Sequence, residues 1–470
     1  MRVREFVSSI TGNPISLIGA AMAGGSAVLI VTLTLIEAFG EEGHPYIGII
    51  TYLVLPVFLV AGLILIPWGN ARHRRLASES GERPAFPIID LNSDRTRGWL
   101  LTFGGFTAVI VVILSTATFK GVEYLDSNQF CGAVCHVLKP EYTAYQGSPH
   151  ARVNCVECHI GPGASWFVKA KLSGVQELFA TVFNTYPRPI PTPVHDLRPA
   201  QDTCERCHWP TKFHGTRPRV VVSHMNDSTS TPRYTILLLK VGGEEGGVSK
   251  GIHWHVDPGL QIRYRSDPSR ERIYEVEMTL ADGTVRRYFS SSSDDEPEDD
   301  GETVWRTMDC IDCHNRPTHI YYSPEETADL ALYRNRIAAD LPFIRREAVE
   351  ALNVDYDSHD QARQGVAADI LDFYLQNYPE LAVERRQAID EAGEVLGELW
   401  TTNVFPWMNI TWNTYPNHIG HKDFSGGCFR CHSGQHATAG GEQISQSCDN
   451  CHQLLAWNEE SPEALEMFVQ

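Results

Sequence analysis

All 12 cysteines of this chain fall into six close pairs, and a histidine follows each pair directly. The motifs comprise Cys131, Cys135 and His136; Cys155, Cys158 and His159; Cys204, Cys207 and His208; Cys310, Cys313 and His314; Cys428, Cys431 and His432; and Cys448, Cys451 and His452. Two cysteines spaced in this way can each form a thioether with one vinyl group of the same porphyrin. The adjacent histidine then becomes the proximal iron ligand. The motifs therefore predict six covalently attached haems of the c type.

Zinc sites and disulfides are the alternatives for paired cysteines. Zinc does not require a histidine directly after the second cysteine of every pair, and cysteines this close rarely reach disulfide geometry. The first motif has three residues between Cys131 and Cys135 where the others have two. An extra residue can loop outward while both sulfurs reach the vinyl groups, so we expect haem here too. The alternative is a five-haem protein with an idle thiol pair.

Three apolar runs near the amino terminus predict a membrane anchor of three transmembrane helices. They cover residues 15–36, 46–68 and 99–119, and none contains Asp, Lys, Arg or His. Each is long enough to cross a hydrocarbon layer of about 30 Å. The first run is too long for the apolar part of a cleaved signal peptide, so we interpret it as a retained anchor.

Arginines predict the orientation of this anchor. Arg2 and Arg4 precede the first run, and six arginines lie between the second and third runs, whereas the first loop contains Glu41 and Glu42 and no base. Basic residues favour the cytoplasmic side of short loops. We therefore expect a bacterial inner-membrane protein whose haem domain faces the periplasm, an oxidising compartment.

Composition along the chain predicts a multihaem cytochrome c fold with little regular core in the haem regions. We expect a membrane anchor at residues 1–119, a three-haem region at 120–216, an inserted small β-rich domain at 217–305, and a helical segment with three haem motifs at 306–470. Alternating apolar residues indicate the strands. Ser323, followed by Pro324 and Glu326, is typical of a helix start. The net charge of −19 argues against nucleic acid as a partner and favours a basic one.

A haem used for electron transfer usually has both axial positions filled. Histidines near motifs or turns, and those of the β-rich region, are therefore candidate distal ligands. These are His150, His224, His253, His255, His319, His418, His421 and His436. We expect His359, in an acidic stretch, to lie at the surface.

The segment CGAVCHVLKPEYTAYQGSPHARVNCVECHIGPGASWFVKAK, behind the third apolar run, resembles the NapC/NirT/NrfH family of membrane-anchored cytochromes. The resemblance covers roughly residues 98–210. The remainder is similar to larger inner-membrane cytochromes of metal-respiring bacteria. The resemblance implies that quinol is oxidised at the membrane surface and that electrons pass to a periplasmic protein.

Several family residues transfer to this sequence and others do not. His150 matches the family's distal histidine between the first two motifs. Leu138 stands where the family often has an iron-ligating methionine, so the coordination of haem 1 is open. The family's quinol site implies Lys169 as a binding residue. Its acidic position falls at Gln176 or Glu177, so the acid stays open, with Lys171 and Glu141 in reserve. The alternative is that Lys169 only reaches towards a membrane surface.

Two main functional hypotheses follow. The first is a quinol dehydrogenase, using menaquinol or a related quinol, that conducts electrons to a periplasmic acceptor such as another cytochrome. The second is a haem subunit of a larger respiratory complex with the quinol site on another chain. A terminal reductase would need a haem with an open site. The acceptor, the quinone type and the oligomeric state stay open.

Overall fold

Long helices form the first part of the chain, and haem-motif turns, two main sheets and a helical region follow. The computed structural model describes residues 13–39, 51, 54–79, 91–161, 164–194, 198–209, 215–242, 244–245, 248–249, 251–291, 303–421 and 425–468. The chain divides into two compact units, Met1–His136 and Val137–Gln470. The first motif belongs to the first unit and the other five belong to the second.

The first unit contains helices α1 (Pro14–Phe39), α2 (Leu55–Glu79) and α3 (Asp94–Leu125). In the described chain, two segments are long and apolar enough to cross a membrane, Pro14–Thr34 and Leu55–His73. They agree with the first two predicted spans, although much of the start of the second span lies outside the described residues. The third predicted span falls within α3 and stays a prediction.

Small residues let α1 and α2 pack closely. A Cβ at Gly19 would lie 2.8 Å from the carbonyl oxygen of Gly62, and one at Gly62 would lie 2.6 Å from the backbone nitrogen of Ala23. Such close backbone approach is typical of helix pairs in membranes, where packing replaces the hydrophobic effect. Side-chain hydrogen bonds between Asn13 and Asn70 add to this contact.

The second unit begins with short helices around the second and third motifs. These are α4 (Lys139–Gln146), α5 (Cys155–His159), α6 (Ala164–Val182) and α7 (Ala200–Cys204). Later helices are α8 (Cys310–Cys313), α9 (Pro324–Tyr333), α10 (Ile344–Leu352), α11 (His359–Asn377), α12 (Pro379–Glu384), α13 (Arg386–Asn403) and α14 (Phe429–His432).

The β-rich stretch forms most of two antiparallel sheets. Its strands are β1 (Gly215–His224), β2 (Pro232–Gly242), β3 (Glu244–Glu245), β4 (Val248–Ser249), β5 (Gln261–Ser266), β6 (Ile273–Thr279), β7 (Val285–Ser290) and β8 (Val304–Thr307). Two strands from the end of the chain, β9 (His436–Ala437) and β10 (His452–Glu459), complete them. The orders are β1–β2–β10 and β8–β5–β6–β7–β9, with β3 and β4 as a separate pair. The strands occur where alternation predicts them, but both sheets also need the C-terminal segment. The proposed domain boundaries stay predictions.

Helices α9 to α13 pack around one apolar core that includes Ile344, Leu396 and Trp400. Ser323 is the N-cap of α9, as the sequence predicts. Its hydroxyl accepts from the backbone nitrogen of Glu326 at 3.2 Å, and the Glu326 carboxylate accepts from the Ser323 nitrogen at 2.9 Å. This reciprocal pair is a capping box, and it fixes the point where the helical region begins.

Candidate haem sites

In the second to fifth motifs, the second cysteine and the histidine wind back over the first cysteine in a short helical turn. In the sixth motif only the second cysteine does so, because His452 is the first residue of β10. The backbone nitrogen of the histidine donates to the carbonyl of the first cysteine at 2.8 Å in the third and fourth motifs and at 3.0 Å in the fifth. The second motif forms α5, and the sixth begins with a 3₁₀ turn at Cys448–Asn450. This turn brings both sulfurs and the imidazole to one side of the backbone, as covalent haem attachment requires.

The first motif uses a wider turn. Phe130–Val134 is a π-helix, in which the backbone nitrogen of Cys135 donates to the carbonyl of Phe130 at 3.1 Å. A π-turn accommodates one more residue than an α-turn. The extra residue between Cys131 and Cys135 is therefore absorbed within the helical turn rather than in an outward loop, and the motif keeps the form that a haem needs.

A second imidazole lies opposite the histidine of each motif in the second unit. The ring-centroid distances are 6.2 Å for His159–His319, 5.9 Å for His208–His150, 6.3 Å for His314–His253, 5.7 Å for His432–His255 and 6.3 Å for His452–His421. Two imidazoles bound to one metal from opposite sides, with bonds of about 2 Å, have centroids roughly 6 Å apart. The residues of these five sites therefore fit a haem with two histidine ligands.

Backbone carbonyls orient four of the five opposing histidines. The Nδ1 atoms of His150, His253, His255 and His319 lie 2.7 to 3.0 Å from the carbonyl oxygens of Pro317, Val241, Ile252 and Glu141. A protonated Nδ1 that donates to a carbonyl makes Nε2 the metal-binding atom. Burial also lowers the pKa of His319 to about 4, which keeps its imidazole neutral. This hydrogen bond is a common signature of the opposing histidines.

The other three distal candidates contact protein groups away from the motif histidines. His418 Nε2 lies 2.7 Å from a Glu271 carboxylate oxygen, and His436 Nε2 lies 2.9 Å from the Ile273 carbonyl. His224 uses Nδ1, which lies 3.1 Å from a carboxylate oxygen of Asp329. Among the described contacts, none of the three faces a motif histidine.

Lys169 and Glu177 both lie on α6, and no described contact joins their side chains. The Lys169 ammonium lies 4.6 Å from the centre of the Trp166 ring. Eight residues of helix separate Lys169 from Glu177, which is roughly 12 Å along the axis. Both side chains are exposed.

Glu141 lies at the start of α4, next to a distal candidate. Its carbonyl accepts from His319, and its carboxylate oxygen Oε2 is buried with no hydrogen-bond partner in the described part of the chain. Burial raises the pKa of this carboxyl, against the opposing effect of Arg316. No described contact joins Glu141 to Lys169 or Glu177.

His359 is not the surface residue that the acidic sequence around it predicts. It starts α11, and its Nε2 lies 2.8 Å from the carbonyl of Val404. Its ring lies 4.6 Å from that of Trp407 and 6.0 Å from that of Trp400. The apolar residues that enclose it come more than forty positions later, so the local sequence carries no signal for this burial.

Comparison with known proteins identifies a family and several relatives. The model of the NapC/NirT cytochrome c family, N-terminal region, matches residues 92–191. Cytochrome c-type protein ImcH of Geobacter sulfurreducens is 42% identical over 448 residues, which cover 94% of this chain and 88% of that protein. A search of the solved structures finds no significant match.

Two shorter likenesses fall on part of the chain. Cytochrome c-type protein NrfH of Wolinella succinogenes is 32% identical over 92 residues, 19% of this chain and 52% of that protein. Cytochrome c-type protein TorC of Escherichia coli K12 is 30% identical over 79 residues, 16% of this chain and 20% of that protein. Since the likeness to ImcH extends over nearly the whole sequence, this chain belongs to the NapC/NirT family of membrane-anchored multihaem c-type cytochromes, electron-transport proteins with covalently bound haem.

Proposed function

We propose that this chain is a hexahaem quinol dehydrogenase of the inner membrane, which takes electrons from menaquinol or a related quinol and delivers them to a periplasmic acceptor. The haems supply one-electron chemistry when bound. The protein binds and orients them and provides the quinol site.

The observation that carries the quinol part is an unburied apolar face on α6. Leu172, Val175, Phe179 and Val182 follow helical spacing, and their exposed fractions lie between 50% and 68%. A helix packed in a soluble domain turns such a stripe towards the core. An exposed stripe with a lysine at its edge is typical of a helix in the membrane interface. A quinol headgroup would meet α6 at this level, beside Lys169.

The six motifs and their turns support six haems. We propose that the motif histidines are the proximal ligands, and that His319, His150, His253, His255 and His421 are the distal ligands of haems 2 to 6 in that order. The mass of the intact protein counts the haems. A mass corresponding to five would mean that Cys131 and Cys135 carry none, and zinc in place of iron would refute the assignment.

The arginine distribution supports a cytoplasmic amino terminus and a periplasmic haem domain. Protease added to intact spheroplasts should then remove the haem domain, whereas full protection would reverse the topology.

Reduction by a quinol analogue tests the proposed activity. Purified protein should be reduced by a menaquinol analogue, and Lys169→Ala should slow this reduction roughly tenfold or more, because one donor to the developing quinol anion is lost. Lys169→Arg keeps the charge and should retain most of the rate. The haem mass and the dithionite-reduced spectrum should be the same in all three proteins.

No described contact joins Lys169, Glu141 and Glu177, and this observation supports an alternative function. In that alternative the chain is the haem subunit of a larger respiratory complex, and the quinol site lies on another chain. If the wild-type protein accepts no electrons from any quinol while dithionite reduces every haem, this alternative replaces the first.

A further inference from the structure

Four motifs carry a charged residue directly before the second cysteine. Acid and arginine alternate, with Glu157 in the second motif, Arg206 in the third, Asp312 in the fourth and Arg430 in the fifth. Neither thioether formation nor iron ligation requires a charge at this position. The arginine of the third motif contacts the second motif, which carries an acid. In the same way, the arginine of the fifth motif contacts the fourth, which also carries an acid.

The first of these contacts is an exposed ion pair. Arg206 Nη1 lies 3.0 Å from Glu157 Oε2, and the two side chains are 47% and 48% exposed. Ion pairs of this kind contribute little to stability, because water already solvates both charges.

The motif that receives the second contact is itself held by a buried carboxylate. Asp312 is only 2% exposed. Its Oδ1 accepts from the Tyr264 hydroxyl at 2.6 Å and from Arg306 Nε at 2.8 Å, and Arg270 Nη1 lies 3.4 Å away. Its Oδ2 accepts from the backbone nitrogen of Asp309 at 2.7 Å. The fourth motif is therefore fixed to strands β5 and β8.

Arg430 crosses from the fifth motif to the fourth. Its Nη2 donates to the carbonyl of Asp312 at 2.5 Å, and its Nη1 donates to the carbonyl of Arg270 at 2.5 Å. Its Nε donates to Gly427 at 3.0 Å. One guanidinium thus joins the peptide between the cysteines of the fourth motif to the turn of the fifth. A lysine cannot reproduce this divergent set of donors.

The opposite sides of the same two sites are also joined. His253 and His255 lie on one 3₁₀ turn, Ile252–Val256. His253 faces His314 and His255 faces His432. The fourth and fifth sites therefore share one support on the distal side and the Arg430–Asp312 contact on the proximal side.

We propose that Asp312 and Arg430 are positioning residues that hold haem sites 4 and 5 as one rigid double site. The inference rests on the proposed haem ligation. The two residues act in series: the buried Asp312 carboxylate fixes the fourth motif to β5 and β8, and the Arg430 guanidinium joins the backbone of that motif to the fifth. Loss of either leaves polar groups without their bonds, which is more disruptive than loss of an exposed pair. The two contacts together therefore hold the ring orientations at both sites.

These two sites have distinct expected spectra. The imidazole planes form an angle of 3° at His314–His253 and 85° at His432–His255. In low-spin ferric haem, parallel imidazoles give a rhombic electron paramagnetic resonance signal, and perpendicular imidazoles give a strongly anisotropic one. Changes at sites 4 and 5 therefore appear in different signals. Site 3, at 76°, also gives an anisotropic signal, so each change is measured as the difference between the variant and wild-type spectra.

The experiment compares Arg430→Gln and Asp312→Asn in the full-length, haem-loaded protein. Each variant should alter both the rhombic signal of site 4 and the anisotropic signal of site 5. Arg430→Lys should restore them only in part. Arg206→Gln, at the equivalent position of the exposed pair, should leave both signals unchanged. If Arg430→Gln yields no haem-loaded protein, the proposal is tested with Arg430→Lys alone. This variant restores the contacts only in part, so it too must disturb both signals.

Two outcomes would overturn the proposal. One is that each variant disturbs only the signal of its own motif, with additive effects in the double variant. The other is that Arg206→Gln disturbs sites 4 and 5 as strongly as Arg430→Gln. Failure of the haem ligation is separate from both, because it would appear in the wild-type protein as missing haem mass or a missing bis-histidine signal.

Discussion

Helices α9 to α13 pack around one continuous cluster of buried apolar side chains. The turns of the second, fifth and sixth motifs, by contrast, bury none of their described residues. The helical region can therefore be stabilised by its own packing. The motif turns lack such a core, and the histidine of each of these three motifs lies about 6 Å from a second imidazole, the separation that one shared haem iron would give. The difference indicates that haem supplies the missing core of the motif regions, so that haem attachment and folding are linked there.

Loss of a haem should produce the largest difference in protease resistance between the motif region and the helical region. Cys310→Ser combined with Cys313→Ser removes the attachment at the fourth motif, and we expect loss of one haem mass and rapid proteolysis within residues 303–322. Helices α9 to α13 should survive as a resistant fragment, because their own apolar side chains form a continuous core. Limited proteolysis with mass mapping makes the comparison.

Cys448→Ser with Cys451→Ser is the matched control, since it also removes one haem. Its new cleavage should be confined to the C-terminal segment and the sheet that β10 completes. Equal protease resistance of the fourth-motif variant and the wild-type protein would show that the motif region folds without its haem.

The sequence predicts local features well and distant partners poorly. The cap at Ser323 and the strands follow from short patterns, and the structure contains them. The completion of both sheets by β9 and β10 does not follow, because those strands pair with residues more than 140 positions away. The same limit applies to the histidines. The sequence favours His418 over His253 as a distal ligand because His418 lies nearer a haem motif. In the folded chain His253 faces a motif histidine, whereas His418 bonds to Glu271, and only contacts formed on folding distinguish the two.

Truncation of the helical core should have the next largest effect. Trp400 is 1% exposed and packs edge-on against Tyr356 at 5.6 Å. Trp400→Ala should lower the free energy of unfolding of the helical region by about 3 to 5 kcal/mol, because it leaves a cavity. Denaturation followed by circular dichroism at 222 nm measures this.

The haem spectrum in native buffer should not change in Trp400→Ala. Val383→Ala, at a position that is 80% exposed on α12, is the control and should lie within about 0.5 kcal/mol of wild type. A shift of the haem bands in Trp400→Ala at low denaturant would show that the two regions are not independent.

His359 should make the stability of the helical region depend on pH. Burial lowers the pKa of this imidazole, so the folded state resists protonation more than the unfolded state does. Stability is then complete above the ordinary histidine pKa of about 6.5 and falls as the pH drops towards the lowered value, by no more than about 1.4 kcal/mol per pH unit. Urea denaturation between pH 7 and pH 5 measures the slope. His359→Asn should flatten it, and an unchanged slope in that variant would assign it to other groups.

The smallest expected effect tests where the helical region begins. Ser323→Ala removes the hydroxyl that accepts from Glu326, and it should cost about 1 kcal/mol, the usual value of an N-cap. Ser323→Thr keeps the acceptor and should retain most of the stability.

Because Ser323 lies only four residues after the distal candidate His319, the haem spectrum is the sharper measurement. If α9 is stabilised independently of the haem sites, Ser323→Ala lowers the helical denaturation midpoint and leaves the bis-histidine signal of His159–His319 unchanged. A loss of that signal would instead show that the cap also holds the distal ligand loop, and the line between the two regions would then lie inside α9 rather than at its start.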